Sequence, residues 1–286
     1  MNSAFVKRLA VIGDPISHSL SPLMQNAALQ QLGLPIIYEA IRVSGNELKN
    51  FVQKQSAELL GFNVTIPHKT AIIPWLGGLS QAAQRIGAVN TVVKENNQWV
   101  GHNTDGAGYL ASLQEEGLSV KQQNITLLGA GGAARAIAVA IADHGAKSIH
   151  IANRTQENAK KLAETLASIF PSIIFSISEL QGADFEARLE ATDLLVNTTS
   201  VGLKGRGEFS DFPWSRLKAS SQVSDIVYRP RFTQFLQKAQ QNGHKIHSGE
   251  GMLVHQGALA LTLWTGRKPD VTLMRKVLLN KLNEED

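Results

Sequence analysis

Two residues of opposite charge stand where this chain can do proton chemistry. Lys69 lies in the stretch GFNVTIPHKTAI, where an apolar, β-rich run breaks at Pro67. A lysine at the end of a buried strand is expensive to desolvate unless an acid pairs with it. GHNTDG supplies such an acid, Asp105, and together with NTVV it supplies the short polar residues Asn90, Thr91 and Asn103. A carboxylate beside Lys69 would satisfy its charge and hold it in position. A lysine held in this way can donate to an oxygen that gains negative charge, or stabilise it electrostatically. His68 is the neighbouring alternative, but alternation along an extended segment points it away from Lys69 and gives it a structural or surface role.

A second constellation says where such an oxygen would come from. Gly129, Gly131 and Ala134 fill the positions of a G-x-G-x-x-G/A turn, with Ala130, Gly132 and Ala133 between them. Glycines there let the backbone turn tightly and approach a pyrophosphate, which rests on the amides and dipole of a helix N-terminus. The motif carries weight because NITLLGAGGAARAIAVAIADHGAKSIHIANRT reads as strand, turn, helix and strand, one βαβ unit. At the end of its second strand an Asp or Glu would favour NAD, whereas this chain has Asn153, Arg154 and Thr155. An Arg with short polar neighbours accommodates a 2′-phosphate, which points to NADP. A dinucleotide site implies hydride transfer. Hydride addition to a ketone leaves an alkoxide that needs a proton, and Lys69 is the group placed to answer it.

These residues need elements to position them. β-rich runs and helical patterns alternate from RLAVIG to LLGFNVTI, which predicts an α/β fold with a mainly parallel sheet. AVNTVVKENNQWVGHNTD breaks the rhythm as a hairpin around the polar turn ENNQ and closes a first module. Alternation resumes through NAKKLAETLASIF, IIFSIS, DLLVNTTS, SDIVYRP and FTQFLQKAQQNG. GMLVHQGALALTLWTG and DVTLMRKVLLNKL then predict two final helices that pack back on the first module. The expected domains are 1–105 joined by 253–286, which would bind substrate, and 106–252, which would bind the dinucleotide.

Composition bounds the rest. The 286 residues suit two domains, and 43% apolar with 18% charged residues is ordinary for a soluble globular chain. A net charge of +4 spread without basic runs argues against nucleic acid and suits a small anionic substrate or a phosphorylated cofactor. The absence of cysteine excludes disulfides, thiolate nucleophiles and cysteine-bound zinc. LAVIG is too short for a signal-peptide core, and no run approaches the roughly 20 apolar residues of a membrane span, so a cytoplasmic location is expected. His244 and His247 in HKIH lack the Glu partner of a zinc motif, and no metal is expected.

Eight motifs occur in one order over nearly the full chain: GDPISHSLSP, NVTIPHK, IGAVNT, NTDG, GAGGAARA, NRT, DIVYRP and GMLVHQGA. In this the chain resembles the shikimate dehydrogenase family, the NADP-dependent enzymes of aromatic amino-acid and chorismate biosynthesis. The resemblance implies an N-terminal α/β substrate domain, a Rossmann-like NADP domain and a C-terminal helix returning to the first. It implies reversible reduction of 3-dehydroshikimate to shikimate, with Lys69 and Asp105 as the catalytic pair. Ser19 and Ser21 match the hydroxyls that bind the substrate carboxylate, and Ser21 also suits a helix N-cap with Pro22 after it. Thr65, Asn90, Asp105 and Gln256 match the positions that bind ring hydroxyls, and Tyr228 lies beside the substrate. The implied cofactor positions are those of the glycine-rich turn and ANRT, with Thr198 and, near the nicotinamide, Gly251 and Met252. Gln25 and Leu203 stand where the family commonly has His and Met; the resemblance implies a catalytic role for neither position. The implied partner is a small molecule, with no nucleic acid or membrane, in a monomer or homodimer. Two rivals remain: a quinate or NAD-using relative, disfavoured by Ser21 and Arg154, and a silent NADP-binding sensor, disfavoured by Lys69 with Asp105.

Overall fold

The computed structural model describes residues 7–203 and 206–284. The outermost residues of the expected domain ranges, 1–6 and 285–286, lie outside them. In chain order the elements are β1 (Lys7–Gly13), α1 (Ser21–Gln31), β2 (Ile36–Arg42), α2 (Leu48–Gln53), β3 (Leu59–Val64), α3 (His68–Ala71), β4 (Gly78–Leu79) and α4 (Gln81–Ile86). The hairpin β5 (Thr91–Glu95) and β6 (Gln98–His102) is followed by α5 (Asp105–Glu115). Then come β7 (Asn124–Leu128), α6 (Gly132–Asp143), β8 (Ser148–Ala152), α7 (Gln156–Ile169), β9 (Ile174–Ser178), α8 (Ala183–Ala191) and β10 (Leu194–Asn197). β11 (Gln222–Asp225), α9 (Gln234–Gln241), β12 (Lys245–His247), α10 (Glu250–Thr265) and α11 (Val271–Asn283) complete the series. Contacts divide them into two compact units: the residues to Gly108 with those from Val254 on, and Tyr109–Leu253.

The first unit is built on a six-stranded sheet in the order β2-β1-β3-β5-β6-β4. It is mixed but mainly parallel: β1 runs parallel to β2 and β3, and β4 to β6, whereas β5 alone pairs antiparallel, with both β3 and β6. The hairpin is the cause. Its two-residue turn, Asn96 and Asn97, has φ of 48° and 63°, the left-handed conformation that Asn tolerates and that tight hairpins require. One core of this sheet gathers Ile12, Val64, Phe51 and Phe62, with the Phe51 and Phe62 rings edge to face at 5.3 Å. α11 packs on α1 and buries Met274, Leu278 and Leu282, a four-residue spacing that forms one helical stripe. Asp270 caps it by accepting from the amides of Thr272 and Leu273. The Trp264 indole N–H donates to Val92 O at 2.9 Å and ties α10 to the hairpin.

The second unit holds six parallel strands in the order β12-β11-β10-β7-β8-β9. Counted from the other edge, this is the third, second, first, fourth, fifth and sixth strand of a doubly wound dinucleotide fold. β7 and β10 at its centre are almost wholly buried and mainly apolar, as strands covered on both faces must be. α8 is an element that the strand-by-strand reading passed over; Phe185 and Leu189, four residues apart, are its buried signature. Among the described residues no helix is long and apolar enough to cross a membrane.

Candidate active site

β3 ends at Val64, and the chain passes through a cis Ile66–Pro67 peptide into the one-turn helix α3. Lys69 therefore sits on a helical turn, not on an extended tip. His68 and Lys69 diverge because successive helical residues are about 100° apart. His68 is 1% exposed, with its Nε2 2.6 Å from Val43 O, so its ring serves the fold. Lys69 turns the other way, and its Nζ donates to Asp105 Oδ2 at 2.5 Å. The Lys69 side chain keeps 19% of its surface and that of Asp105 only 6%. The acid is thus the anchored member of the pair and the lysine the accessible one.

Asp105 opens α5, where the helix N-terminus favours a carboxylate. Its amide donates to Asn103 Oδ1 at 3.0 Å, which fixes the start of the helix. Its second oxygen, Oδ1, accepts from Asn90 Nδ2 at 2.8 Å. Asn90 also donates to Thr104 Oγ1 at 2.9 Å and lies 3.4 Å from Gln256 Oε1. Thr104 Oγ1 in turn donates to the backbone oxygen of Gln256 at 3.1 Å. Lys69, Asn90, Asp105 and Gln256 therefore form one polar cluster inside the first unit. Thr65, between β3 and α3, has its amide on Ile12 O at 2.9 Å and is half-buried.

Ser19 and Ser21 correct an expectation. Ser21 is the first residue of α1, not its N-cap, and Ser19 Oγ accepts from the Ser21 amide at 3.3 Å. Leu20 between them has φ −90° and ψ −1°, so the stretch is already turning into helix and Leu20 takes the cap position. Thr104 and, behind Asn90, the strand residue Asn63 were not singled out as site residues in the sequence. The signal for Asn63 was a polar side chain in an otherwise apolar strand, 7% exposed.

In the second unit the glycine-rich turn joins β7 to α6. Gly129 has φ +109°, and a Cβ there would stand 2.8 Å from Thr199 Cγ2 and 3.0 Å from Thr198 Oγ1. Only glycine meets both demands. Thr198 donates to Leu128 O at 2.7 Å and so holds the loop after β10 against this turn. Gly131 is the N-cap of α6 and offers no side chain to its first amides, the first turn carries no acid, and space around Gly131 is open. Free amides beside open space, without a competing carboxylate, fit the pyrophosphate of a dinucleotide. Gly132 and Ala133 begin the helix, and buried Ala134 lets it lie close on the sheet. Asn153, Arg154 and Thr155 follow β8; Asn153 Nδ2 donates to Thr155 O at 2.7 Å, and Arg154 is exposed with no ion pair among the described residues. That free guanidinium fits an added phosphate. Tyr228 follows β11 and is half-buried, while Gly251 and Met252 are buried in the first turn of α10.

The two histidines set aside as metal ligands are engaged elsewhere. His247 lies between Ser112 Oγ at 2.8 Å and Ser224 Oγ at 2.9 Å, and His244 Nδ1 faces Ser221 O.

A doubly wound unit with a glycine-rich turn, and a mixed-sheet unit with a lysine–carboxylate pair, define a dinucleotide-dependent oxidoreductase class. Comparison with known proteins narrows it. Residues 11–92 match the model of the shikimate dehydrogenase substrate binding domain, 110–202 that of shikimate / quinate 5-dehydrogenase, and 249–279 that of the shikimate 5′-dehydrogenase C-terminal domain. The chain is 43% identical over 278 residues to the NADP(+) shikimate dehydrogenase of Geobacillus sp. (strain WCH70), covering 96% of this chain and 99% of that one. A solved shikimate dehydrogenase in complex with NADP+ superposes with a TM-score of 0.90 at 37% identity, covering 99% of this chain and 98% of that one. The Listeria monocytogenes shikimate 5-dehydrogenase, in complex with shikimate and NAD, gives 0.90 at 36% identity, covering 96% and 97%. The chain belongs to the shikimate dehydrogenase family.

Proposed function

We propose that this chain catalyses the reversible NADPH-dependent reduction of 3-dehydroshikimate to shikimate, the step that its family contributes to chorismate and aromatic amino-acid biosynthesis. The observation that carries the reading is the Lys69–Asp105 pair, braced by Asn90 on the unit that matches the substrate-binding model. Bound NADPH supplies the hydride to the carbonyl carbon. Lys69 meets the carbonyl oxygen as negative charge gathers there, and gives it a proton from Nζ so that the oxygen becomes a hydroxyl and the lysine a neutral amine, which solvent reprotonates. Asp105 fills one oxygen with Lys69 and the other with Asn90, so it orients the lysine without offering a competing proton.

The remaining roles follow the chemistry of a substrate with one carboxylate and several hydroxyls. Ser19 and Ser21 take the carboxylate, and Thr65, Asn90, Asp105 and Gln256 take ring hydroxyls, with Tyr228 beside them. Gly129, Ala130, Gly131, Gly132 and Ala133 hold the pyrophosphate, and Asn153, Arg154 and Thr155 hold the 2′-phosphate. Thr198, Gly251 and Met252 complete the cofactor positions. Residues 1–105 with 253–286 form the substrate domain and 106–252 the NADP domain.

Initial rates of cofactor reduction, with shikimate or quinate against NADP or NAD in all four combinations, test the reading. Turnover confined to shikimate with NADP is the expected result. Comparable rates with quinate or NAD would move the protein to a broader-specificity branch, and no turnover with any pair would leave a silent NADP-binding protein.

A further inference from the structure

Behind Asn90 the first unit buries a chain of polar side chains that the reaction as described does not use. Tyr38 on β2 is 1% exposed, Asn63 on β3 is 7% exposed, and Thr91 on β5 is fully buried. Three strands of one sheet, β2 and the neighbours β3 and β5, thus each place a polar group in an apolar interior, where every donor and acceptor must be matched.

The direction of each bond can be read from backbone groups whose roles are fixed. The backbone oxygen of Asn90 can only accept, and Asn63 Nδ2 donates to it at 2.9 Å, so the Asn63 NH2 faces Asn90. Asn63 Oδ1 therefore faces Tyr38, whose hydroxyl donates at 2.7 Å. The second Asn63 N–H goes to Thr91 Oγ1 at 3.0 Å. Thr91 then has its one hydrogen to give, and it gives it to Asn90 Oδ1 at 2.9 Å. The amide of Thr104 can only donate, and it too points at Asn90 Oδ1, at 2.8 Å. With both lone pairs of Oδ1 taken, the NH2 of Asn90 must face Asp105 Oδ1 and Thr104 Oγ1. Every bond from Tyr38 to Asp105 runs the same way: hydroxyl to amide oxygen, amide N–H to hydroxyl, hydroxyl to amide oxygen, amide N–H to carboxylate.

We propose that Asn63 and Thr91 are positioning residues for the reaction, through a buried one-way hydrogen-bond relay from Tyr38 that locks the Asn90 amide with its NH2 on Asp105. The proposal rests on the functional reading of Lys69 and Asp105 given above. A reversed Asn90 would turn an oxygen toward the carboxylate and expel Asp105 from the geometry that aims Lys69. Aligned donors in a low-dielectric interior also polarise one another, which strengthens the bond that reaches the carboxylate.

Thr91→Val removes the relay hydroxyl at nearly constant shape, and Thr91→Ser keeps it. With NADP and shikimate saturating, Thr91→Val is expected to lower kcat about tenfold, as small misplacements of catalytic groups do, with KM for NADP unchanged and Thr91→Ser recovering most of the loss. Tyr38→Phe, which deletes one hydroxyl at the far end, is expected to give a smaller fall in the same parameter and serves if Thr91→Val does not fold. Wild-type kcat in Thr91→Val, or a Thr91→Ser enzyme no better than the valine variant, overturns the proposal while the functional reading stands. A wild-type protein without shikimate turnover overturns that reading instead. The relay is then decided by nitrogen–proton correlation spectra, in which the Asn90 side-chain NH2 should be protected from exchange in wild type and lose protection in Thr91→Val; an unchanged signal counts against it.

Discussion

At the scale of single residues the site is an argument about where charge is tolerated. Lys69 and Asp105 are both largely withdrawn from water, and removing either partner would leave the other desolvated and unmatched. Lys69→Ala is therefore expected to lower kcat by at least about a hundredfold, the scale on which acid–base groups contribute, with little change in NADPH binding. Steady-state rates beside a fluorescence titration of NADPH check both halves. An active Lys69→Ala protein would remove the lysine from the mechanism. Arg154 makes the opposite kind of claim, since it is exposed and matters only if a phosphate meets it. Arg154→Ala is expected to raise KM for NADP much more than KM for NAD. Equal effects on the two cofactors would make Arg154 a surface charge only.

At the scale of elements, Gly108 shows how helices are brought close enough to share a site. A glycine inside α5 forfeits about 1 kcal/mol of helix propensity relative to alanine. Yet a Cβ at 108 would stand 2.6 Å from the backbone nitrogen of Gln256 and 2.8 Å from its Cα. The close approach outweighs propensity, because overpacking against backbone costs about 1–3 kcal/mol and here there is no flexible side-chain end to yield. Gly108→Ala is thus expected to destabilise the protein in urea despite alanine's better propensity. By shifting Gln256 from Asn90 and Thr104, it is also expected to raise KM for shikimate. A stabilised variant with unchanged KM would show that α10 has room to move without effect.

At the scale of the whole molecule, stability should respond to pH through groups of the second unit, which holds neither Lys69 nor Asp105. His150 on β8 is buried between Ser176 Oγ at 2.8 Å and Ser178 Oγ at 2.9 Å. Burial first, and then the positive charge of Arg188, push its pKa down to about 4. The unfolded chain takes up this proton near 6.5 while the fold refuses it until about 4, so the neutral ring's contribution is lost as pH falls across that window. The loss amounts to about 3 kcal/mol at most. Asp225 works in the other direction. Burial raises its carboxyl to about 6 against the pull of its donors Thr233, Val227 and Asn197, so the fold holds its proton more firmly than the unfolded chain and gains as pH falls below that value. The two partly cancel in wild type, and a single variant separates them. The stability advantage of wild type over His150→Asn, from urea unfolding, is expected to shrink between pH 6.5 and 4; a constant gap would refute the assignment to His150.

The sequence by itself determined what depends on neighbouring residues. The βαβ turn was legible because Gly129 needs a positive φ that few other residues accept, and the hairpin because Asn96 and Asn97 suit a two-residue turn. Lys69 and Asp105 stood out by type and by motif order. What only the tertiary structure decided is which distant groups meet, since packing and chain closure, not local preference, set those distances. Lys69 reaches Asp105 across 36 residues of chain and Asn90 approaches Gln256 across 166. The hairpin's antiparallel pairing with β3 made the first sheet mixed, a long-range choice that the alternation of strands and helices does not encode. Asn63 read as an isolated polar residue in an apolar strand, and Thr91 as one of several short polar candidates near Lys69, until adjacent strands aligned them. Burial without water then forced each donor to find an acceptor, and that requirement set the direction of the relay.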